Sequence, residues 1–144
     1  MNNWIYKGRK FELPEEFNPD IWYGFVYIIT NRATNKKYVG KKFFWSKKTL
    51  PITKTRKRRK RLLVESDWRK YYGSNKHLVE DVKTQGEDMF YREILHLCKS
   101  KGECSYRETK EQFDREVLLT DDYYNGIINC RIGANSVKKG FTNN

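Results

Sequence analysis

No apolar run in the chain approaches the length of a membrane span, and Met1-Asn2-Asn3-Trp4 lacks the basic-then-apolar order of a secretion signal. The expectation is a soluble, intracellular (cytoplasmic) protein with no membrane partner. Cysteine is scarce and odd in number: Cys98, Cys104 and Cys130 form no CxxC pair and no cluster with His77 and His96. That argues against a disulfide framework and a zinc site and leaves reduced thiols, with Cys98 read as a small buried hydrophobe at the end of an apolar run. Proline occurs only at positions 14, 19 and 51, and no internal repeat is visible.

The most telling absence is of acid. Residues 36–61 carry thirteen lysines and arginines and no aspartate or glutamate, whereas the rest of the chain has 17 basic against 18 acidic side chains. One segment therefore holds the whole positive excess. A basic patch on an otherwise neutral protein suits a phosphate backbone, where each neutralised phosphate releases counterions. Lys41, Lys42, Lys47, Lys48, Arg56, Lys57, Arg59 and Lys60, with Arg69 and Lys76 farther on, are the expected nucleic-acid contacts. Phe43, Phe44 and Trp45 either stack on bases or anchor the segment to the core. The bland alternative for the run 56–61 is a solvated loop or a localisation-type signal.

At 144 residues the chain fits one domain. Residues 1–20 read as an N-terminal arm whose Trp4, Tyr6, Phe11 and Phe17 can pack back onto the body. Residues 21–144 then form a single domain with a basic insertion at 41–70. Within it, two strand-like runs flank the turn Asn31-Arg32-Ala33-Thr34. A helix is expected over Lys57 to Glu65, and Ser66-Asp67 suggests a cap before Trp68. Asn75 is expected to cap a helix running to Gln85, with Gly86 as its stop. Met89 to Leu97 reads as a third strand. Ser105 is expected to open a helix that buries Tyr106, Phe113 and Val117 and ends near Leu119, and 125–132 reads as a short strand. The order predicts an α+β fold, a small mixed or antiparallel sheet flanked by helices.

The first hairpin carries the chemistry. With a four-residue loop, Tyr27 of Gly24-Phe25-Val26-Tyr27 lies opposite Tyr38 of Lys37-Tyr38-Val39-Gly40, and both phenols emerge on one face. A carboxylate on a helix is the usual holder of a hard cation such as Mg²⁺. Glu108 is best placed for that task, although Ser105-x-x-Glu108 also matches a capping box that would occupy its carboxylate. Glu111, at i−4 from Arg115, is the alternative ligand and suits an ion pair better.

Phe25-Val26-Tyr27, Tyr38-Val39-Gly40, the stretch Tyr71-Tyr72-Gly73-Ser74-Asn75-Lys76, Glu108 and Tyr124-Asn125, in this order, resemble the GIY-YIG nucleases, and among them the phage-encoded Seg-type homing endonucleases. The resemblance implies a metal-dependent endonuclease that leaves 5′-phosphate and 3′-hydroxyl ends, with one Mg²⁺ (or Mn²⁺) per active site held by Glu108. Tyr27 would accept a proton from the attacking water, Tyr38 would hold that tyrosine or the water, and Asn125 would orient a neighbouring group. The family's catalytic arginine has no counterpart between Phe43 and Thr49. Arg58 and Arg61 are the substitutes favoured here, with Arg56, Arg59 and Arg69 behind them, while Lys41 and Lys42 offer charge beside the phosphate. Double-stranded DNA is the implied partner, of a phage enzyme in an infected host, and a homodimer is one source of specificity. Two other readings compete: a non-catalytic basic DNA- or RNA-binding module, and a protein-interaction domain with a basic tether.

Overall fold

Alternating and β-branched residues build most of the sheet, and a computed structural model describes residues 2–55 and 60–142. The strands are β1 (Trp4–Tyr6), β2 (Arg9–Lys10), β3 (Gly24–Asn31), β4 (Lys37–Phe43), β5 (Trp45–Leu50), β6 (Lys60–Glu65) and β7 (Phe90–Cys98), and the helices are α1 (Lys76–Gln85), α2 (Lys101–Asp114) and α3 (Ala134–Thr142). Five strands form one sheet in the order β2-β1-β7-β3-β4. β1 runs parallel to β7, and the other pairings are antiparallel, so the sheet is mixed and the fold is α+β. The N-terminal arm thus supplies two strands.

Strand β3, between β7 and β4, is buried on both faces, as its Phe-Val-Tyr-Ile-Ile run demands. Phe25, Tyr27 and Ile29 pack with Trp4, Phe44, Trp68 and the α1 residue Leu78. Val26 and Ile28 point the other way, to Val39, Cys98, Val117 and the α2 residue Cys104. The two helices therefore cover opposite faces. β4 closes one edge of the sheet, and its outer groups meet the segment after α2, where Lys37 bridges to Tyr123.

Helix α1 matches expectation: the Asn75 side chain accepts from the His77 and Leu78 N–H groups, and Gly86 ends the helix at φ 93°. The α2 expectation was displaced. The helix starts at Lys101, because Ser100 accepts from the Glu103 N–H at 3.1 Å and Glu103 reaches back to the Lys99 N–H at 2.7 Å. The Ser-x-x-Glu pattern occurs twice, and the first copy is the cap. Gly102 is tolerated inside the helix since a Cβ there would lie 2.2 Å from the Ser136 Oγ of α3. With this start, Gly102, Glu103, Cys104, Thr109 and Gln112 form the buried face, and Phe113 is left 61% exposed. Val117 is buried as expected, but beyond the helix end.

The other differences are also local patterns overruled by distant partners. Residues 60–65, expected as helix, form a strand because Leu62, Leu63 and Val64 pair with Lys48, Lys47 and Ser46 of β5. Lys57 to Arg59 lie outside the described residues. Asp67 precedes the short turn Trp68–Lys70 without a side-chain cap. No strand forms over 125–132; the segment leaves the sheet edge once the Asn125 side chain has met it. α3 was not expected, and it packs on α2 through Gly140 against Glu103 and Ser100.

Candidate active site

Hairpin β3–β4 sets the two tyrosines. Its register pairs Tyr27 with Gly40 and Ile29 with Tyr38, two residues from the predicted alignment. A shift of two preserves the side-chain alternation, so both phenols do share a face, with ring centroids 6.2 Å apart. Gly40 is required there: an added Cβ would sit 2.5 Å from the Tyr27 Oη and 2.9 Å from the Tyr38 ring. A bulge in β7 opposite Val26 and Tyr27 lets the chain keep pace with this crowding.

Tyr27 is 1% exposed and stands against Tyr71 as well as Tyr38. Burial first, then the neighbouring phenols Tyr71 and Tyr38 and the Glu108 carboxylate, push its phenol well above the ordinary tyrosine value. Tyr38 is half-buried, and its Oη lies 3.4 Å from the Ser74 Oγ. Burial raises this phenol too, Ser74 opposes the shift, and Tyr71 and Glu108 add to it. Positive charge lies one step out from the tyrosines: the Lys42 ammonium sits over the Tyr71 ring at 4.2 Å and pairs with Asp67 at 2.6 Å.

Glu108 arrives from the opposite face, on α2, and meets the tyrosines around the edge strand β4. Its carboxylate is 13% exposed, and the Lys41 ammonium is 3.8 Å away. Lys41 also donates to the Ser105 Oγ at 2.9 Å. Burial lifts the Glu108 carboxyl above the ordinary carboxylate range, and Lys41 offsets only part of that. Because Ser100 and Glu103 form the cap, the Glu108 carboxylate is not spent on capping. Glu111 is an ion-pairing residue, bonded to Arg115 at 2.9 Å and His96 at 3.3 Å.

Asn125 is buried against β4, where its Oδ1 accepts from the Val39 N–H at 3.0 Å and its Nδ2 donates to the Val39 C=O at 2.8 Å. An edge strand leaves such groups without a partner strand, and this side chain supplies one. Gln112, missed in the sequence, adds a bond to the same carbonyl at 3.1 Å. Its spacing of four from Glu108 was the signal, since i and i+4 share a helix face.

Tyr38, Ser74, Asn75, Glu108, Gln112, Asn125 and the loop 126–129 enclose a cleft of about 270 Å³. Three of the four expected site residues thus line one concavity. Tyr27 does not; it stands behind Tyr38, because it sits on β3, inside the sheet, whereas Tyr38 sits on the edge strand β4 that borders the cleft. Arg69 is exposed and bonded to Glu65, and Lys47, Lys48 and Lys76 are exposed. Arg56, Lys57, Arg58 and Arg59 lie outside the described residues, and Lys60 and Arg61 are placed by backbone alone. No group of three or more His, Cys, Asp or Glu among the described residues could hold a metal by itself. A lone carboxylate in a half-open polar cleft still fits a hard cation that keeps most of its waters.

One buried and one half-buried phenol backed by glycine on a β-hairpin, with a helix glutamate across an edge strand, fit a nuclease of the GIY-YIG class. The chain belongs to that family: the model described as "Putative endonuclease segE, GIY-YIG domain" matches residues 4–128, which includes β1, Tyr27, Tyr38, Glu108, Gln112 and Asn125. No curated protein and no solved structure matches it. The protein is accordingly an endonuclease, a phosphodiester hydrolase acting on DNA, from a family that generally uses divalent metal ions.

Proposed function

We propose that the protein is a metal-dependent endonuclease of double-stranded DNA, site-preferring in its cutting, that leaves 5′-phosphate and 3′-hydroxyl ends. The observation that carries this reading is the Glu108 carboxylate, free of its helix cap and turned to the cleft that Tyr38 and Asn125 also line. Glu108 would hold one Mg²⁺ or Mn²⁺, and such an ion supplies charge neutralisation at the phosphoryl oxygens when bound.

The chain's own groups do the rest. Tyr38 borders the cleft and meets the attacking water by a hydrogen bond, with Ser74 fixing its hydroxyl. Tyr27, directly behind, is the partner phenol: burial holds its proton in the free protein and it supports Tyr38 through ring packing, so the two tyrosines act as a unit around the water, whose proton passes through the Tyr38 hydroxyl to solvent in the cleft. Lys41 sits at the junction of cleft and sheet and is positioned to meet a phosphate oxygen. Asn125 and Gln112 hold the Val39 peptide, which fixes Tyr38 on one side and Gly40 on the other.

The deciding experiment is cleavage of supercoiled plasmid by the purified chain with Mg²⁺, with EDTA added, and with Glu108→Gln. Cutting that stops in EDTA and in the variant supports the reading, and end-labelling of the products identifies the 5′-phosphate. Cutting by Glu108→Gln at the wild-type rate would overturn it. Duplex binding by a wild-type chain that never cuts would favour the non-catalytic binding module.

A further inference from the structure

The β5–β6 ribbon forms a two-stranded sheet of its own, apart from the five-stranded one. A hairpin standing alone is marginal in water, so a partner that packs on it would stabilise it. Its root is firmly set. The Trp45 indole N–H donates to the Trp22 carbonyl at 2.8 Å, its ring packs on Phe17 at 4.9 Å, and the Ser66 hydroxyl donates to the Phe43 carbonyl at 2.7 Å.

Register then sorts the two faces. Trp45, Lys47 and Leu63 share one face; Trp45 packs on the domain, and Leu63, 43% exposed, borders a hollow of about 320 Å³ with Tyr23 and Lys101, so the root of this face looks back to the domain. Ser46, Lys48, Leu62 and Val64 share the other, with Ser46 and Lys48 exposed, Val64 36% exposed and Leu62 half-buried. A hydroxyl, an ammonium and a branched apolar group therefore stand side by side on an outward sheet face.

We infer that this ribbon enters the major groove of the substrate duplex with Ser46, Lys48 and Val64 toward the base edges, and so selects where the enzyme cuts. The inference rests on the duplex-endonuclease reading above and deepens it. Two strands about 4.8 Å apart with side chains on both sides are too broad for a minor groove about 6 Å wide and suit a major groove of about 12 Å. The chemistry matches the groove floor: lysine donates to guanine O6 and N7, serine meets donors or acceptors, and valine methyls can lie on a thymine methyl. No acidic residue between positions 36 and 61 opposes the approach. Reach limits the footprint. Seven residues separate Lys41 at the cleft from Lys48, at most about 25 Å of extended chain, so the contacted bases fall within about seven base pairs of the cut at 3.4 Å per pair.

The test is selection by binding, with EDTA present, of duplexes carrying a random segment. It is run with the wild-type chain, with Ser46→Ala/Lys48→Ala/Val64→Ala, and with Lys48→Ala alone, whose exposed side chain can be removed without touching the core. The expected result is a base preference for wild type that guanine N7-methylation abolishes and the triple variant loses, while Lys48→Ala loses about tenfold discrimination at one base pair. Absence of any preference in wild type, a preference unchanged in both variants, or indifference to N7-methylation would each overturn it. The selected duplex is then offered with Mg²⁺. Selective binding without cutting supports the ribbon and sinks the nuclease reading, and cutting at sites unchanged in both variants sinks the ribbon alone.

Discussion

The cleft around β4 and the ribbon that follows it lie only a few residues apart in the chain and are built on opposite terms. At β4 the Val39 peptide is held by two side chains, Tyr38 by Ser74, and Tyr27 by a fully packed aromatic wall. Phe44, a single buried residue, marks the boundary. Beyond it Ser46, Lys47, Lys48 and Thr49 are all exposed, as are Leu63 and Val64 across from them. Chemistry needs groups held in place before substrate arrives, whereas affinity for a polyanion needs charge and surface that the polyanion itself can organise. The comparison predicts that substitutions in the cleft lower turnover and leave binding nearly intact, and that substitutions in the ribbon do the reverse.

Glu108→Gln should give the largest effect. Replacing the carboxylate removes the proposed cation ligand, and losses on the order of 10²–10³-fold or more in cleavage rate are typical when one such electrostatic stabiliser goes. Duplex affinity should stay within about threefold of wild type, since the basic side chains supply most of it. Rates on a labelled duplex and a gel-shift titration of the same preparation check both halves. A variant that loses binding along with cutting would break the division between the two regions.

The tyrosines come next. Tyr27→Phe and Tyr38→Phe remove only hydroxyls and keep the packing, so each is expected to slow cleavage by about 10²-fold as loss of general acid–base help does. Because the two phenols are argued to act as a unit, the double variant should be no slower than the slower single one. Single-turnover rates at saturating enzyme measure this directly. Multiplied effects would mean that Tyr27 and Tyr38 work independently.

Gly40→Ala sharpens the same point through packing. The new methyl would lie 2.5 Å from the Tyr27 Oη, a distance real Cβ atoms do not keep, so a phenol must move. Overpacking of this kind costs about 1–3 kcal/mol, which urea unfolding would report, and the displaced tyrosine should cost turnover as well. Wild-type stability and rate in this variant would show that the tyrosine pair needs no such support.

How much of this was legible follows from which signals are local. The hairpin face was readable although its register was not, because alternation has period two and the predicted and actual alignments differ by two residues. Asn75 and Gly86 were readable because a cap is written in the residues at the helix end. The start of α2 was not, since Gly102 looks like a helix breaker until Ser136 is seen to occupy the space a side chain would need. β6 was read as helix because Leu62-Leu63-Val64 suits either state, and only pairing with β5 decides. Tyr27 lies behind the cleft rather than in it because β3 is an interior strand and β4 an edge strand, and the order of strands in a sheet is not written in the residues of one hairpin.

The smallest expected effect lies in the ribbon. Lys47 and Lys48 project from opposite faces of β5, and neither touches the cleft. If both meet phosphates or base edges in the complex, the log–log dependence of affinity on salt should flatten by about one unit for each lysine changed to alanine. Cleavage at saturating enzyme should remain within about twofold of wild type, because these side chains hold DNA rather than stabilise its transition state. A wild-type salt slope in the Lys47→Ala/Lys48→Ala protein would remove the ribbon from the complex. A slope that flattens together with a large fall in saturated turnover would instead join the two regions into one, with the ribbon positioning the phosphate at the Glu108 cleft as well as gripping the duplex.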